Sequence, residues 1–288
     1  MCRLFGLHAG SEPVRATFWL LDAPDSLSVQ SHREPDGAGI GTFSSDGTPK
    51  VAKRPLAAWE DHAFAREARV VKSTTFLAHV RYASTGALTV ANTHPFEQDG
   101  RLFAHNGAFA GLALLDQRLV GLGVRELVRG QTDSERLFAL ITAETRRANG
   151  DVTAGIRAAV GWVAGELPVF SLNFILTTAT DIWALRYPAT HELHVLRRDP
   201  ATPAPAAPLD ARSKRIHSRS TELARSPHVL FATEPMDNNP SWRPMASGEL
   251  VHVGPDLSAT STFPFPESVA HQLTLQDLDP AAAESQKP

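Results

Sequence analysis

The chain has one cysteine in 288 residues. A lone thiol excludes an internal disulfide and a thiolate metal cluster, since each needs a second sulfur. No run approaches the roughly 20 apolar residues that a membrane-spanning helix requires. The first residues, MCRLFG, pass directly into mixed sequence, so no cleavable leader is expected. Neither charge is in excess: 28 Lys and Arg against 31 Asp and Glu leave a net charge of −3, so nucleic-acid binding through bulk positive charge is not expected. The histidines His62, His191, His194 and His217 lack metal-ligand spacing. These absences lead us to expect a cytoplasmic protein with no metal, no cofactor, and neither a nucleic acid nor a membrane as partner.

What is present suits a globular chain. Apolar residues make up 42% and charged residues 20%, and the length allows one large domain or two small ones. The cysteine stands at position 2, directly after Met1. Removal of Met1, usual before a small residue, would leave Cys2 carrying both a thiol and a free α-amine. Such an amine titrates near about 8, so an unprotonated share can take the thiol proton directly or through a water. This is the arrangement of an N-terminal nucleophile. On position alone Cys2 is either such a nucleophile or incidental.

Residues 75–82 have strand composition, and their alternation sets His79 and Arg81 on one face with Ala78, Val80 and Tyr82 on the other. Residues 102–105 read as a second strand ending at Asn106-Gly107, a hairpin-turn signal. Thr132 and Glu135 have capping-box spacing, which predicts a helix from there to the stop at Asn149-Gly150. A further helix is expected over 152–163. Three consecutive antiparallel strands are expected over 169–176, 182–187 and 193–196, with later strands over 228–232 and 250–253 completing a second sheet region. The Pro/Ala-rich stretch 199–208 reads as an extended, mobile loop. Helices and strands in separate batches indicate an α+β fold with two antiparallel sheets. One domain is expected over residues 2–255, followed by an extended tail over 256–288.

Six short blocks then carry a resemblance: MCRLFG at 1–6, DGAG at 36–39, HVRYAS at 79–84, NTHP at 92–95, HNG at 105–107 and TDSE at 132–135. In this order they resemble the class II glutamine amidotransferases, most closely the stand-alone, YafJ-like members. FATEP at 231–235 with Trp242 resembles the C-terminal block of those proteins and of related γ-glutamyl hydrolases. The resemblance implies an N-terminal nucleophile hydrolase fold, a four-layer αββα sandwich of two antiparallel sheets between helical layers. It further implies that Cys2 attacks the γ-amide of glutamine to form a γ-glutamyl thioester, releasing ammonia and then glutamate. The Asn106 side chain and the Gly107 N–H would meet the oxyanion, Arg81 the substrate's α-carboxylate and Asp133 its α-ammonium. Ser84 and His94 match positions near the substrate, and Asp36 and Gly39 would support the loop packed against the nucleophile. Asn106-Gly107 alone reads equally as a turn, and Asp133 alone as a residue favoured by a helix dipole.

No acceptor site is visible after Val253, so ammonia would pass to a separate synthase or a peptidase subunit, if to any partner. Three functions follow. The first is a glutamine-hydrolysing amidotransferase domain, and the second a hydrolase of glutathione-like or other γ-glutamyl amides. The third is a non-catalytic interaction module gripping an anionic partner through the five basic residues between Arg212 and Arg225.

Overall fold

The computed structural model describes residues 2–83, 86–199, 210–212, 217–219, 223 and 226–287. In chain order its strands are β1 (Arg3–His8), β2 (Gly37–Phe43), β3 (Pro49–Arg54), β4 (Thr75–Arg81), β5 (Phe96–Gln98), β6 (Arg101–Phe109), β7 (Pro168–Thr177) and β8 (Ile182–Arg186). There follow β9 (His194–Arg198), β10 (Asp210–Arg212), β11 (His217–Arg219), β12 (His228–Ala232), β13 (Arg243–Pro244), β14 (Glu249–Val253), β15 (Ala259–Thr262) and β16 (His271–Gln272). The α-helices are α1 (Leu27–Gln30), α2 (His62–Val70), α3 (Leu112–Gly121), α4 (Asp133–Arg147), α5 (Val152–Glu166) and α6 (Pro280–Ser285).

The strands form two main sheets. One runs β13-β9-β12-β1-β4-β2-β3 and the other β15-β14-β8-β7-β6-β5, with β16 added to β7. Neighbouring strands pair antiparallel except for the parallel β16–β7 pair.

Alternation along the strands divides the apolar side chains among three cores. In β1, Leu4 faces the second sheet, while Phe5 and Leu7 face the outer helices. The inter-sheet core joins Leu4, Leu77 and Phe231 from the first sheet to Leu102, Ile175 and Ala184 from the second. Outside the first sheet, Phe18–Leu20, α1 and α2 pack on Phe5, Phe76 and Leu230. Outside the second, α3, α4 and α5 pack on Phe103, Phe174 and Leu185, with Phe103 stacked on Phe138 of α4 at 4.9 Å. The order of layers is therefore αββα, as expected.

Several expectations are corrected. Asn106-Gly107 does not turn: β6 continues to Phe109, and the two residues pair with Asn173 and Leu172 of β7. Of the three strands expected to run consecutively, β7 and β8 pair, but β9 crosses to the first sheet and joins β12 and β13. The later strands likewise part company, β12 into the first sheet and β14 into the second. The hairpin β2–β3 was not anticipated, because three glycines in seven residues obscure a strand pattern. Residues after Val253 do not trail as an extended tail. β15 pairs with β14, β16 with β7, and the Gln286 carboxamide meets His191 Nε2 at 2.8 Å. The Pro/Ala-rich loop and most of the basic segment lie outside the described residues.

Glycine at position 39 sets the packing near one end of the sandwich. A Cβ there would run into the His94 carbonyl and stand 2.7 Å from the Lys53 side chain. Both are fixed, since Lys53 Nζ donates to the carbonyls of Thr93 at 2.6 Å and Pro95 at 3.0 Å. Gly39→Ala is therefore expected to cost at least about 1–3 kcal/mol through overpacking. An unchanged unfolding midpoint in denaturant titration would show that this approach is not constrained.

Candidate active site

Cys2 immediately precedes β1, which pairs with β4 on one side and β12 on the other. Its thiol accepts a hydrogen bond from the Tyr82 N–H at 3.2 Å and donates to the Tyr82 carbonyl at 3.4 Å. Burial pushes the thiol pKa up, while the Tyr82 backbone and the Arg81 charge oppose that rise. A thiol in this setting is mainly protonated at neutral pH and needs a base to become a nucleophile.

Arg81 ends β4 and is buried. Period-two alternation turns it to the same side as His79, as expected. Its Nη1 and Nη2 donate to the carbonyls of Ala87 and Gly86, both at 3.3 Å, so the guanidinium also holds the loop that follows. Burial depresses its pKa, against support from the charges of Asp36 and Asp133. The Asp36 N–H donates to the Arg81 carbonyl at 3.0 Å, and Asp36 Oδ2 accepts from the Ala83 N–H at 2.8 Å. Asp36 thus fastens both sides of Tyr82, the residue that contacts the thiol.

Asp133 opens α4. Thr132 Oγ1 caps the helix by accepting the Glu135 N–H at 3.2 Å, but Glu135 does not reach back to Thr132. Its carboxylate takes the Gly130 N–H instead. Asp133 Oδ1 accepts the Ser134 N–H at 2.8 Å. His105 Nε2 meets the Ser171 carbonyl at 3.3 Å, and a carbonyl only accepts, so that nitrogen carries the proton. Nδ1 is then an acceptor 2.9 Å from Ser134 Oγ, and that hydroxyl's single proton is shared between Nδ1 and Asp133 Oδ1, 3.2 Å away. Burial lowers the His105 pKa and keeps this tautomer neutral.

The structure brings Cys2, Arg81, His94, Gly107 and Asp133 to one narrow cavity. Tyr82, His105, Thr132 and Ser134 complete its lining. None of these four was given a role at the site from sequence, although all four sit inside recognised blocks. Asn106 is buried beside Gly107 without lining the cavity, and neither its Oδ1 nor its Nδ2 has a hydrogen-bond partner among the described residues. An unmade hydrogen bond at a buried amide costs about 1–3 kcal/mol, and such groups in folded proteins often await a ligand. Gly107 has no room for a side chain, because a Cβ would run into the Ser171 carbonyl. His94 is buried with both ring nitrogens unpartnered among the described residues, its ring 4.2 Å from that of His79 and 4.5 Å from that of Phe96. Ser84 lies outside the described residues.

Among the described residues, no cluster of three or more His, Cys, Asp or Glu side chains could hold a metal ion, and no helix is long and apolar enough to cross a membrane.

A sequence profile of the class-II glutamine amidotransferases matches residues 1–274. The chain is 27% identical over 264 residues to the gamma-glutamyl-hercynylcysteine sulfoxide hydrolase of Mycobacterium tuberculosis, covering 88% of this chain and 93% of that protein. It is 28% identical over 188 residues to the glutamine-amidotransferase-type protein YafJ of Escherichia coli, covering 62% and 69%. Its fold matches the Bacillus subtilis glutamine phosphoribosylpyrophosphate amidotransferase with a TM-score of 0.63 at 18% identity, over 93% of this chain and 50% of that one.

The buried imidazoles set an acid limit on the fold. Burial holds His79 at about 3, and His191 and His228 at about 4, below the ordinary value of 6.5. The unfolded chain therefore binds more protons than the folded one, so this stability is complete above about pH 6.5 and lost as pH falls toward 4. The unfolding temperature should be level between pH 7 and 8 and drop steeply below 6. A flat profile down to pH 4.5 would contradict the neutral burial of these rings.

Proposed function

The chain belongs to the class II glutamine amidotransferases, and from that premise we propose that it is a thiol amidohydrolase that releases ammonia and glutamate from glutamine. The observation that carries this reading is the convergence of the only cysteine with Arg81 and Asp133 on one cavity.

Removal of Met1 gives Cys2 a free α-amine, which serves as base and takes the thiol proton. Sulfur attacks the δ-carbonyl, and the tetrahedral oxyanion is met by Asn106 Nδ2 and the Gly107 N–H. Preorganised donors of this kind contribute about 3 kcal/mol each, and the unpartnered amide of Asn106 supports the assignment. Collapse breaks the C–N bond and the same amine protonates the departing nitrogen. Water then hydrolyses the γ-glutamyl thioester to glutamate and returns the thiol. Arg81 pairs with the α-carboxylate and Asp133 with the α-ammonium, so a free α-end is selected. His94, which lines the cavity, flanks the bound substrate, and Ser84 is assigned a substrate-binding role by its block alone. The work is done in the cytoplasm, with a separate synthase or peptidase subunit as the candidate partner.

A second reading, hydrolysis of a larger γ-glutamyl amide, draws support from the mycobacterial relative, which is matched over 93% of its length. Both readings use the same thiol and the same clamp on the α-end.

Intact-mass measurement should show the loss of Met1, and a retained methionine would eliminate the α-amine as base. Cys2→Ala is expected to abolish glutamate release from every γ-glutamyl substrate, and undiminished turnover would refute both readings. Asn106→Ala should lower kcat by roughly 100- to 1,000-fold with little change in KM. Arg81→Ala should instead raise KM by at least roughly tenfold, as expected for a lost charge-assisted hydrogen bond.

A further inference from the structure

A cavity of about 690 Å³ adjoins the start of β1 on its β12 side, the side away from β4 and Arg81. Arg3, the residue after Cys2, lines it together with Thr233 and Glu234, which follow β12. The rest of the wall includes Phe170 and His191, with Leu275 from the chain's last segment. The start of β1 thus lies between two spaces, one beside β4 lined by Cys2 and one beside β12 lined by Arg3. The two are mechanically linked: Asn173, the register partner of Asn106, donates from Nδ2 to the carbonyls of His191 at 3.2 Å and Glu192 at 3.3 Å.

Hydrolysis of an amide sends its two halves in opposite directions from the reacting carbon. With the glutamyl half held on the β4 side, the nitrogen departs toward β12. Ammonia is about the size of one water, which occupies about 30 Å³ in the liquid, and so needs no space of this size. The lining also has a definite chemistry. Phe170 and Leu275 offer apolar contact. Arg33 Nη2 lies 3.1 Å from Glu234 Oε1 and 3.9 Å from Asp25 Oδ1, but the side chain is 58% exposed and its guanidinium has five N–H donors, so others stay open to a ligand at the mouth.

We propose that this cavity receives the amine half of the substrate, and that the bond hydrolysed is the γ-glutamyl linkage of a dipeptide whose second residue has an apolar side chain. The inference rests on the thiol amidohydrolase reading above. Arg33 meets the dipeptide's carboxylate while Phe170 and Leu275 cover its side chain. The δ-carbon to nitrogen bond breaks, the free amino acid leaves with the proton supplied by the Cys2 α-amine, and water clears the thioester.

The test is a steady-state comparison on the full chain of γ-glutamyl-phenylalanine, γ-glutamyl-phenethylamide and glutamine. The dipeptide should exceed glutamine in kcat/KM by at least roughly tenfold. It should also exceed the phenethylamide, which lacks only the carboxylate, by roughly tenfold, the worth of one charge-assisted hydrogen bond. Arg33→Ala should erase that second ratio. Glutamine hydrolysis equal to or faster than dipeptide hydrolysis would overturn the cavity assignment and leave the thiol mechanism standing. A carboxylate preference that survives in Arg33→Ala would overturn the role of Arg33 and with it the proposal as stated. Failure to hydrolyse any of the three would overturn both this inference and the reading it rests on.

Discussion

The close approach of two sheets is the constraint on which the rest of this molecule depends. At Gly6 and Gly41 in the first sheet, Ile182 and Leu102 of the second stand 2.8 and 2.7 Å from where a Cβ would be, so a larger residue fits only with a shift. That closeness turns Cys2 and Arg81 from one sheet toward Asn106 and Gly107 from the other. It also buries His79, His94 and Asn106 in a gap otherwise filled by Leu4, Leu77, Ile175 and Phe231. Polar groups are rarely left unpaired in such a place. The cavity beside the thiol is therefore polar at its rim and tightly closed beneath.

Much of this was legible in the sequence, and the reasons differ by element. Helix α4 announces itself through its cap and its apolar spacing, both local signals. Strand β4 does so through alternation, which correctly turned Arg81 to the side of His79. Asn106-Gly107 misled because the pair is a turn signal only when the chain is free to turn. Here β7 pairs with the whole of β6, and the glycine is needed for clearance from Ser171, not for a reversal of direction. The crossing of β9 to the first sheet was invisible because strand composition does not say which sheet a strand joins. Loop length between β8 and β9 does not settle it either.

The residues that line the narrow cavity all fall in the recognised blocks, and what recognition could not supply was the means by which they are held. Asp36 fastens the backbone on both sides of Tyr82, Ser134 bonds His105 while its N–H orients Asp133, and Asn173 suspends the 191–192 backbone. These contacts join residues between 18 and 47 positions apart or adjacent in the chain, and only the adjacent ones leave a local pattern. The buried histidines show the same limit. Their sequence neighbours are unremarkable, and their neutrality comes from the packing of two sheets and a helix around them.

The site draws its groups from three separate layers: Cys2 and Arg81 from one sheet, Asn106 and Gly107 from the other, and Asp133 from the outer helix. No single layer holds enough of them to act. On the proposed mechanism, a molecule whose sheets have parted retains a cysteine but no oxyanion donors opposite it, and its thiol reverts to ordinary solution behaviour. Nucleophile and integrity of the sandwich are thus one property, and a chain still finding its fold carries no active thiol with which to cleave its surroundings.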